Sequence, residues 1–519
     1  MPEATFNPTE TYFSYLEQYQ VKLDSDTEAK IKAIIDSTNW DEPITGLDFN
    51  NCAVMALIEA ENSEESELRE TYIGLAVEYL ETGSENHPLC LAHALMIELL
   101  LQKTNWETLY QTYLGFLQNA YTKTELPGLV YCPLFFARHS REIPNLYAWS
   151  NQNENGYLQG ILVLFTALQN HIVFYNQLGV LLSQLRQLVS DFSGLLFRLG
   201  VSLALKAQTE SIAYLHATQT NSSKNPQIIQ SLYLAYRDLG NQQQAEYWCK
   251  FAQELSKNSQ DLNLAWVRID SSAEFTYLKF DQDICLAVEP SLRSIVTSVL
   301  LVEGDWFENE LDWWRDYLRP GMTVIDVGAN AGVYTFSAAK RVGSIGKVIA
   351  IEPFSPCIKL LEQTKAINQF DQVEIFEAAA SNHPGQAYLS IRASSELNEL
   401  ITVKPGQEIP ANAVTINCLT LDSLLDTDQL SSVDILKIDA EGHELQVLQG
   451  AEQIITQFKP IILYENISGT KLASADVSVF LIEHNYELFT YNPLLKTLIP
   501  IEDQPMYQSL NIIAQVKIK

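Results

Sequence analysis

The segment TVIDVGANAGVYT at 323–335 contains the most chemically informative residues of the sequence. An apolar, β-branched run ends in Asp326 and is followed by a turn that contains Gly328 and Gly332. Such a run predicts a buried parallel strand, and the glycines let the backbone turn sharply and approach a ligand where a Cβ atom would clash. A strand, a glycine turn and a helix in this order bind a nucleotide-like molecule at the carboxyl edge of a sheet.

The spacing of the glycines distinguishes between nucleotide-like ligands. Dinucleotide sites have the pattern G-x-G-x-x-G, which accepts a pyrophosphate. Here an acid precedes the first glycine, and three residues separate Gly328 from Gly332. Asp326 would repel a pyrophosphate but suits a ligand with an ammonium or sulfonium charge, so the spacing argues against an NAD-dependent oxidoreductase. Asn330 is either a turn residue that tolerates left-handed backbone or a ligand contact.

Other predicted strands also end in acidic or small residues. Glu352 follows an apolar run, twenty residues after Gly332, where a carboxylate can accept two hydrogen bonds from ribose hydroxyls. Helix capping is the alternative role for Glu352 and for Glu465. Ala379 lies in a run of three alanines and is small enough to lie beside an adenine ring. Because the carboxyl ends of parallel strands meet at one edge, we expect these residues to join Asp326 around one ligand.

The run LKIDAEGHEL at 436–445 combines a predicted central strand with several ionisable residues. Lys437 and Asp439 lie on one face of this strand, because side chains alternate between the two faces. Burying a lysine is costly unless it is paired, so Asp439 or a neighbouring acid is expected to pair with Lys437. Asp439 is also expected to contact the bound ligand at the end of the strand.

Two kinds of chemistry are open for the residues that follow this strand. His443 is a candidate general base, because the unperturbed pKa of histidine is near ~6.5. Asp439 is its expected partner, Lys437 is a second choice for the same task, and a surface histidine at a helix start is the alternative. Asp439, Glu441, His443 and Glu444 could instead bind a divalent metal ion, but ligands this close in sequence rarely all converge on one ion. The histidine is therefore favoured, and no residue is assigned to a metal.

The overall composition excludes several kinds of partner. The chain has 519 residues, of which 47% are hydrophobic, so it can form two or three packed domains. Its formal net charge of −31 argues against nucleic acid or an anionic membrane as the main partner. No apolar run is long enough to span a bilayer, no signal peptide is recognisable, and the seven scattered cysteines fit a reducing compartment. We therefore expect a cytoplasmic protein without a membrane span.

The predicted domain boundary lies between residues 257 and 258. Residues 1–257 carry apolar residues at helical spacing, as in the runs 91–102 and 162–188, and predict an all-α domain. Residues 258–519 contain short β-rich runs that alternate with helical segments, which predicts a doubly wound α/β domain. The expected fold class is thus an N-terminal helical domain followed by a Rossmann-like domain with a mostly parallel sheet.

One helix pair in the first domain, at 228–257, has a more specific pattern. Gly240, Ala245 and Ala252 fall where a tetratricopeptide repeat has its small consensus residues, which let two helices pack closely. Residues 191–220 could form a second, degenerate pair. Because repeat folds need about three stacked units for stability, a plain helical bundle stays open as the alternative.

The second domain is predicted to begin with a hairpin and to end with antiparallel strands. The runs at 275–280 and 284–290 predict the hairpin. The runs at 486–492 and 510–518 predict two antiparallel strands at the edge of the sheet.

Several separated blocks, in the right order, resemble the FkbM-type methyltransferases, a class I family whose cofactor is S-adenosylmethionine. The blocks are SIVTSVLLVEGDWFENE (294–310), RPGMTVIDVGANAGVYT (319–335), GKVIAIEP (346–353), LTLDSLL (419–425), VDILKIDAEGHELQVLQGA (433–451) and KPIILYE (459–465). The second block resembles motif I of that class.

This resemblance implies methyl transfer to an oxygen atom, often a hydroxyl of a sugar or a glycosylated compound. It implies S-adenosylmethionine as the cofactor and a small-molecule or glycan acceptor, and it does not identify the acceptor. It covers less than half of the chain and does not extend to residues 1–257, where a protein partner is possible. A helical-repeat scaffold with secondary or lost catalysis is therefore kept as the alternative function.

Overall fold

The computed structural model of the chain describes most of the sequence in several ranges. These are residues 7–18, 21, 23–84, 87–101, 128–133, 160, 163, 193–221, 224–257, 259, 261–270, 272–392, 395, 398–401, 409–425, 430–466, 473–501 and 510–517. The predicted helical run at 162–188 lies outside the described residues, apart from Val163.

The chain divides into two compact units. The helical unit comprises Met1–Val189 and Asn492–Thr497, and the sheet unit comprises Ser190–Tyr491 and Leu498–Lys519. The predicted fold class, helices followed by an α/β domain, is confirmed. Among the described helices, none is both long enough and apolar enough to cross a membrane.

The described part of the helical unit is built from α-helices that bury their apolar faces. They are α1 (Pro8–Gln18), α2 (Ser25–Ser37), α3 (Gly46–Asn62), α4 (Ser66–Gly83) and α5 (Pro88–Leu100). Helix α3 begins with a capping box, in which Thr45 and Asp48 each bond the other's backbone N–H, and its central turns are completely buried. The predicted helix within 91–102 is confirmed by α5.

An extended segment, residues 128–133, is buried inside this helical unit. Helices cannot pair with its backbone, because their own N–H and C=O groups are already bonded. Side chains do so instead: Asn51 Oδ1 accepts from Leu129 N at 2.9 Å, and Asn50 Nδ2 donates to Leu129 O at 2.9 Å. The phenol of Tyr15 accepts from Cys132 N and donates to Cys132 O, both at 2.8 Å.

His93 completes this arrangement as a neutral imidazole. Its Nε2 accepts from Tyr131 N at 3.1 Å, so its Nδ1 carries the proton and donates to Asn50 Oδ1 at 2.9 Å. Burial lowers the pKa of His93 to about 3, which keeps the ring neutral. The phenol of Tyr12 likewise donates to Val130 O at 2.9 Å and accepts from Val130 N at 3.2 Å. We define Tyr12, Tyr15, Asn50, Asn51 and His93 as the strap network.

The sheet unit begins with two pairs of helices. The first pair is α6 (Ser193–Leu205) and α7 (Ser211–Asn221), and the second is α8 (Pro226–Asp238) and α9 (Gln242–Ser256). The predicted pair at 228–257 and its predecessor are thus present as helices. Gly240 ends α8 in a left-handed conformation, with φ +69°, and Ala252 on α9 is fully buried. Whether the pairs form a tetratricopeptide-type array stays a prediction.

These four helices group with the sheet and not with the helical unit. Buried residues from them, including Phe197, Leu232 and Trp248, share one hydrophobic core with Phe280 and Leu286 of the following hairpin. The division found in the structure therefore lies near residue 190, about 67 residues before the predicted boundary. That boundary, as a statement about which segment folds alone, stays a prediction.

A central sheet of eight strands forms the core of the sheet unit. Its strand order is β5-β4-β3-β10-β11-β14-β12-β13. The strands are β3 (Thr323–Val327), β4 (Lys347–Glu352), β5 (Val373–Glu377), β10 (Ile435–Ile438), β11 (Ile461–Glu465), β12 (Tyr486–Asn492), β13 (Thr497–Pro500) and β14 (Asn511–Val516). Strands β3, β4, β5, β10 and β11 are parallel, and β14 pairs antiparallel with β11 and β12.

Six further strands form two small sheets. The predicted hairpin is confirmed, with β1 (Thr276–Phe280) antiparallel to β2 (Ile284–Val288). The other sheet, in the order β6-β9-β7-β8, consists of β6 (Ala379–Ala380), β7 (Gly385–Ser390), β8 (Glu399–Ile401) and β9 (Ala413–Leu419).

The remaining described helices of the sheet unit connect these strands. They are α10 (Ile295–Glu303), α11 (Glu310–Tyr317), α12 (Val333–Val342), α13 (Ser355–Asn368), α14 (Glu444–Gln449), α15 (Glu452–Phe458) and α16 (Ala473–Glu483). The chain passes from β3 to β4 and β5 on one side and then crosses to β10 on the other. The direction of winding therefore reverses between β3 and β10, which is where an open α/β sheet binds its ligand.

Candidate active site

The turn after β3 has the geometry that its glycines predicted. Gly328 has φ +74°, and a Cβ atom there would lie 1.8 Å from the carbonyl oxygen of Asp439. Glycine is thus required for the close approach between the end of β3 and the end of β10. Asp326, which is 1% exposed, accepts a 2.5 Å hydrogen bond from the Thr335 hydroxyl on α12. That bond ties the strand to the helix on the other side of the turn.

Lys437 is the central cation of this edge. It pairs in register with Asp326 across β3 and β10, and its Nζ lies 3.8 Å from Asp326 Oδ1 and 3.1 Å from Asp439 Oδ2. Burial alone would lower the pKa of Lys437, but Asp439 and Asp326 outweigh it and raise the pKa above its ordinary value. The predicted pairing of the buried lysine is confirmed, and the ammonium stays charged.

Glu352 ends β4 and is 6% exposed. Its two carboxylate oxygens accept backbone hydrogen bonds from Asn330 N and Phe354 N, both at 2.9 Å. Burial raises the pKa of Glu352 to about 7, against the effect of the two N–H donors. Glu352 therefore holds the glycine turn, and each of its oxygens keeps a second lone pair for a ligand hydroxyl.

Asn330 and Ala379 occupy the same region. Asn330 has φ +48°, so it is the left-handed turn residue that the sequence allowed, and its side-chain oxygen lies 3.9 Å from Cys357 Sγ. Ala379 is 5% exposed and pairs with Cys418 across β6 and β9. Contact of either residue with a cofactor stays a prediction.

A further carboxylate at this edge, that of Glu308, was not predicted from the sequence. Its Oε2 accepts from the Tyr334 hydroxyl at 2.6 Å and from Asn511 Nδ2 at 3.0 Å. The Tyr334 ring in turn lies 4.7 Å from the Lys437 ammonium, a cation–π distance. Burial raises the pKa of Glu308, and the charge on Lys437 opposes that rise.

Three carboxylates converge beyond the end of β10. One oxygen from each of Asp439, Glu441 and Glu465 lies within 4.8 Å of the others, a spacing that suits a cation. Burial, followed by Asp439, raises the pKa of Glu441 to about 8 and that of Glu465 to about 10. Glu441 and Glu465 therefore retain protons near neutral pH, because burial and the neighbouring carboxylates disfavour their ionised forms. We define Asp439, Glu441 and Glu465 as the carboxylate cluster.

His443 and Glu444 form hydrogen bonds outside this cluster. His443 Nε2 lies 3.0 Å from the Ser381 hydroxyl, and Glu444 Oε1 accepts from the backbone N–H groups of Ala440 and Gly442. Burial lowers the pKa of His443, with a smaller contribution from His383. The four ligands considered from the sequence are therefore not the set that converges: Asp439 and Glu441 remain, and Glu465 takes the place of the other two.

Glu308 and Glu465 were not predicted to belong to these clusters, and the sequence around them indicates such a role only weakly. Glu308 lies in DWFENE, which has two aromatic and three acidic positions just before the strand that leads to the glycine turn. Glu465 was seen as an acid at a strand end. Its approach to Asp439 depends on the pairing of β10 with β11, which the sequence does not state.

The residues around the turn fit S-adenosylmethionine. Asp326 Oδ1 is buried and has no hydrogen-bond partner among the described residues, so it can accept from an ammonium group. Asp326, Glu352 and Asp439 give one edge three carboxylates, a set of hydrogen-bond acceptors that suits a cationic ligand with ribose hydroxyls. Asp326 and Asp439 would hold the methionine part, and Glu352 would hold the ribose.

Comparisons with known proteins find similarity to methyltransferases. Residues 326–488 match the family described as the methyltransferase FkbM domain. Methyltransferase sdnD of Sordaria araneosa is 28% identical over 157 residues, which cover 25% of this chain and 60% of that protein. The AMB antimetabolite synthetase AmbE of Pseudomonas aeruginosa is 26% identical over 211 residues, or 33% of this chain and 10% of that protein. The chain thus spans less than two thirds of these relatives.

Solved structures of methyltransferases are also similar, at a low level. Methyltransferase FkbM from Methylobacillus flagellatus has 13% identity and a TM-score of 0.25, with 42% of this chain and 52% of that one covered. A SAM-dependent O-methyltransferase from Thermotoga maritima has 14% identity and a TM-score of 0.24, with 47% and 78% covered. Similarities of this size carry no structural argument. Residues 326–488 are thus similar to the methyltransferase FkbM domain.

Proposed function

We propose that this chain is an S-adenosylmethionine-dependent O-methyltransferase whose acceptor is a hydroxyl of a sugar, glycan or glycolipid. The observation that carries the proposal is the placement of Asp326, Glu352 and Asp439 at the ends of three strands around one glycine turn, at the reversal of the sheet. The family match of residues 326–488 supports methyl transfer. The choice of oxygen and of a carbohydrate acceptor rests on the family resemblance.

The side chains on this edge have separate roles in the proposal. When bound, S-adenosylmethionine supplies an electrophilic methyl group. Glu352 binds the ribose hydroxyls while it holds the turn, and Asp326 and Asp439 bind the positively charged end. Lys437 lies 3.8 Å from Asp326 and 3.1 Å from Asp439 and holds these two aspartates in place. Most of the catalysis is then positioning of the reacting atoms.

His443 is the proposed general base for the acceptor hydroxyl. Its lowered pKa leaves the imidazole neutral near neutral pH, so it can accept a proton. The hydroxyl of Ser381 orients the ring through Nε2. Lys437 is a positioning residue here, because its raised pKa keeps it protonated and unable to take a proton.

A divalent cation in the carboxylate cluster is the competing means of activating the acceptor. Asp439, Glu441 and Glu465 offer three oxygens within 4.8 Å of one another. Oxygen ligands of this kind suit Mg²⁺ or Mn²⁺. Lys437, at 3.1 Å from Asp439, opposes a second cation in the same place, so the histidine is favoured.

The alternative function is a scaffold for another protein. The helical unit and the four helices α6–α9 lie outside residues 326–488, and tetratricopeptide-type pairs commonly bind peptides. In that case catalysis is secondary or lost, and a protein partner binds through the helices. A cytoplasmic location, predicted from the cysteine pattern, is part of either proposal.

Isothermal titration calorimetry with S-adenosylmethionine and, separately, with NAD tests the proposal. We expect saturable binding of the first and none of the second, and transfer of a labelled methyl group to a hydroxylated acceptor. Binding of neither cofactor would favour the scaffold. If S-adenosylmethionine binds but no methyl group is transferred to any glycoside, the cofactor assignment stands and the assignment of a carbohydrate acceptor is wrong.

A further inference from the structure

The loop between α10 and α11, residues 304–309 with the sequence GDWFEN, lies over the carboxyl edge of the central sheet. Glu308 places it there, through its bonds to Tyr334 at the start of α12 and to Asn511 at the start of β14. Asn511 is the register partner of Glu465, a member of the carboxylate cluster. We define residues 304–309 as the aromatic loop.

Both halves of the aromatic loop are fixed by charged hydrogen bonds. Arg315 on α11 donates to both oxygens of Asp305, each at 2.7 Å, in a bidentate pair. At the other end, Glu308 accepts hydrogen bonds from Tyr334, Asn511 and the Trp306 indole. A loop held in this way keeps its shape before a ligand arrives, which lowers the entropic cost of binding.

The two residues between these anchors are aromatic. The ring centroids of Trp306 and Phe307 lie 4.7 Å apart with an interplanar angle of 51°, and both side chains are only partly buried. The indole orientation is set by its Nε1, which donates to Glu308 Oε1 at 2.9 Å. The loop thus presents two partly exposed aromatic rings next to Glu308, whose partner Asn511 pairs in register with Glu465 of the carboxylate cluster.

A carbohydrate matches both the aromatic rings of the loop and the neighbouring carboxylates. Its C–H faces pack on aromatic rings, and its hydroxyls donate to carboxylate oxygens such as those of Asp439, Glu441 and Glu465. A simple cation would use the carboxylates alone, and an apolar ligand would use the rings alone. The combination favours a polyhydroxylated ring.

We propose that the aromatic loop is the acceptor-binding wall of the active site, with Trp306 and Phe307 packing on the ring face of a carbohydrate acceptor. Glu308 is a positioning residue that fixes the indole. This inference rests on the proposed function and specifies the residues that select the acceptor.

Fluorine NMR of the full chain labelled with 5-fluorotryptophan tests this proposal. The Trp306 resonance is identified by its loss in Trp306→Phe. The probes are S-adenosylmethionine and then, with it present, a panel of methyl hexosides and methyl 6-deoxyhexosides. We expect a saturable shift of the Trp306 resonance with at least one glycoside. Phe307→Ala should weaken that glycoside about tenfold, which corresponds to the loss of one aromatic contact.

Two further variants separate a direct role from a structural one. Tyr247→Ala removes an aromatic ring that is 55% exposed on α9. It should change the Kd neither for S-adenosylmethionine nor for the glycoside. Glu308→Gln should raise the KM for the glycoside and broaden the Trp306 resonance, with the Kd for S-adenosylmethionine unchanged.

The outcomes distinguish this inference from the proposed function. If S-adenosylmethionine binds but no glycoside moves the Trp306 resonance, the wall is not a carbohydrate site and the inference is overturned. If S-adenosylmethionine alone saturates that shift, the loop contacts the cofactor instead, which also overturns it. If S-adenosylmethionine does not bind at all, the proposed function itself is wrong.

Discussion

The strap network of the helical unit is a buried polar cluster, whereas the carboxylate cluster at the edge of the central sheet is only partly buried, and the two differ in their electrostatics. In the strap network every group is neutral, and donors match acceptors, as in the two bonds of Tyr15 to Cys132. At the carboxyl edge, the carboxyl groups of Asp439, Glu441 and Glu465 lie close together, with Lys437 as a nearby cation, so that they cannot all ionise easily.

The difference separates a structural network from a functional one. A satisfied neutral network rigidifies a fold and leaves little for a ligand to gain. A set of carboxylates with raised pKa values, such as Glu441 at about 8, is destabilising by itself and is relieved by a cationic or hydroxylated ligand. We therefore expect changes in the first region to alter stability, and changes in the second to alter binding and turnover.

The largest expected effect is at His443. His443→Ala should lower kcat by ~10²–10⁴ while S-adenosylmethionine still binds, because it removes a general base. The acidic limb of the pH–rate profile should disappear with it. His383→Ala, which changes an exposed histidine nearby, is the matched control.

Metal chelation provides the competing test at this site. If EDTA abolishes turnover of the wild type, and Mg²⁺ or Mn²⁺ restores it, the carboxylate cluster activates the acceptor and His443 is secondary. Glu465→Gln would then weaken the restoration of turnover by Mg²⁺ or Mn²⁺, whereas it should leave an EDTA-resistant enzyme resistant.

Removal of the central cation should have the next largest effect. Lys437→Met leaves Asp326 and Asp439 without their buried partner, and breaking a buried pair in this way costs about 3–5 kcal/mol of unfolding free energy. Urea unfolding measures this loss. Partial recovery on lowering the pH is also expected, because the two carboxyls can then be neutral. An unchanged unfolding free energy would show that Lys437 is not the cation that holds this edge.

Glu352 should control cofactor affinity in a pH-dependent way. Glu352→Ala should weaken S-adenosylmethionine binding by about tenfold or more, since a charge-assisted hydrogen bond contributes about 1.5–3 kcal/mol. Calorimetry measures the Kd. Glu377→Ala, at the register partner on β5, removes an exposed carboxylate and should have no such effect.

The sign of the pH dependence follows from the raised pKa of about 7. The folded protein binds the Glu352 proton more tightly than the unfolded chain, so this group stabilises the apo fold at low pH and that stability is lost as the pH rises towards 7 and beyond. Binding of ribose hydroxyls needs the ionised form, so the affinity of the wild type should increase across the same range. Glu352→Gln should show a flat profile.

The smallest expected effect lies in the strap network. His93→Leu leaves the buried Tyr131 N–H without its acceptor, at about 1–3 kcal/mol of unfolding free energy for the helical unit. Urea unfolding followed by hydrogen exchange of the helical unit measures it, while the Kd for S-adenosylmethionine should not change. A loss of cofactor affinity in this variant would break the distinction drawn between the two regions.

The sequence by itself determined the parts of this protein that depend on short-range pattern. Asp326, Gly328 and Glu352 follow from strand runs and glycine spacing, and the pairing of Lys437 with an acid follows from the cost of burying it. These features are local, because a strand end and the turn after it lie within a few residues.

Only the tertiary structure decided which distant residues meet. Glu465 reaches Asp439 because β10 pairs with β11, and Glu308 reaches Asn511, 203 residues later, because β14 returns antiparallel beside β11. The grouping of α6–α9 with the sheet has the same origin, a hydrophobic core shared with the β1–β2 hairpin. Helical periodicity predicts that one face of each helix is buried, but it does not show which element covers that face. The covering element is decided by packing in the folded chain.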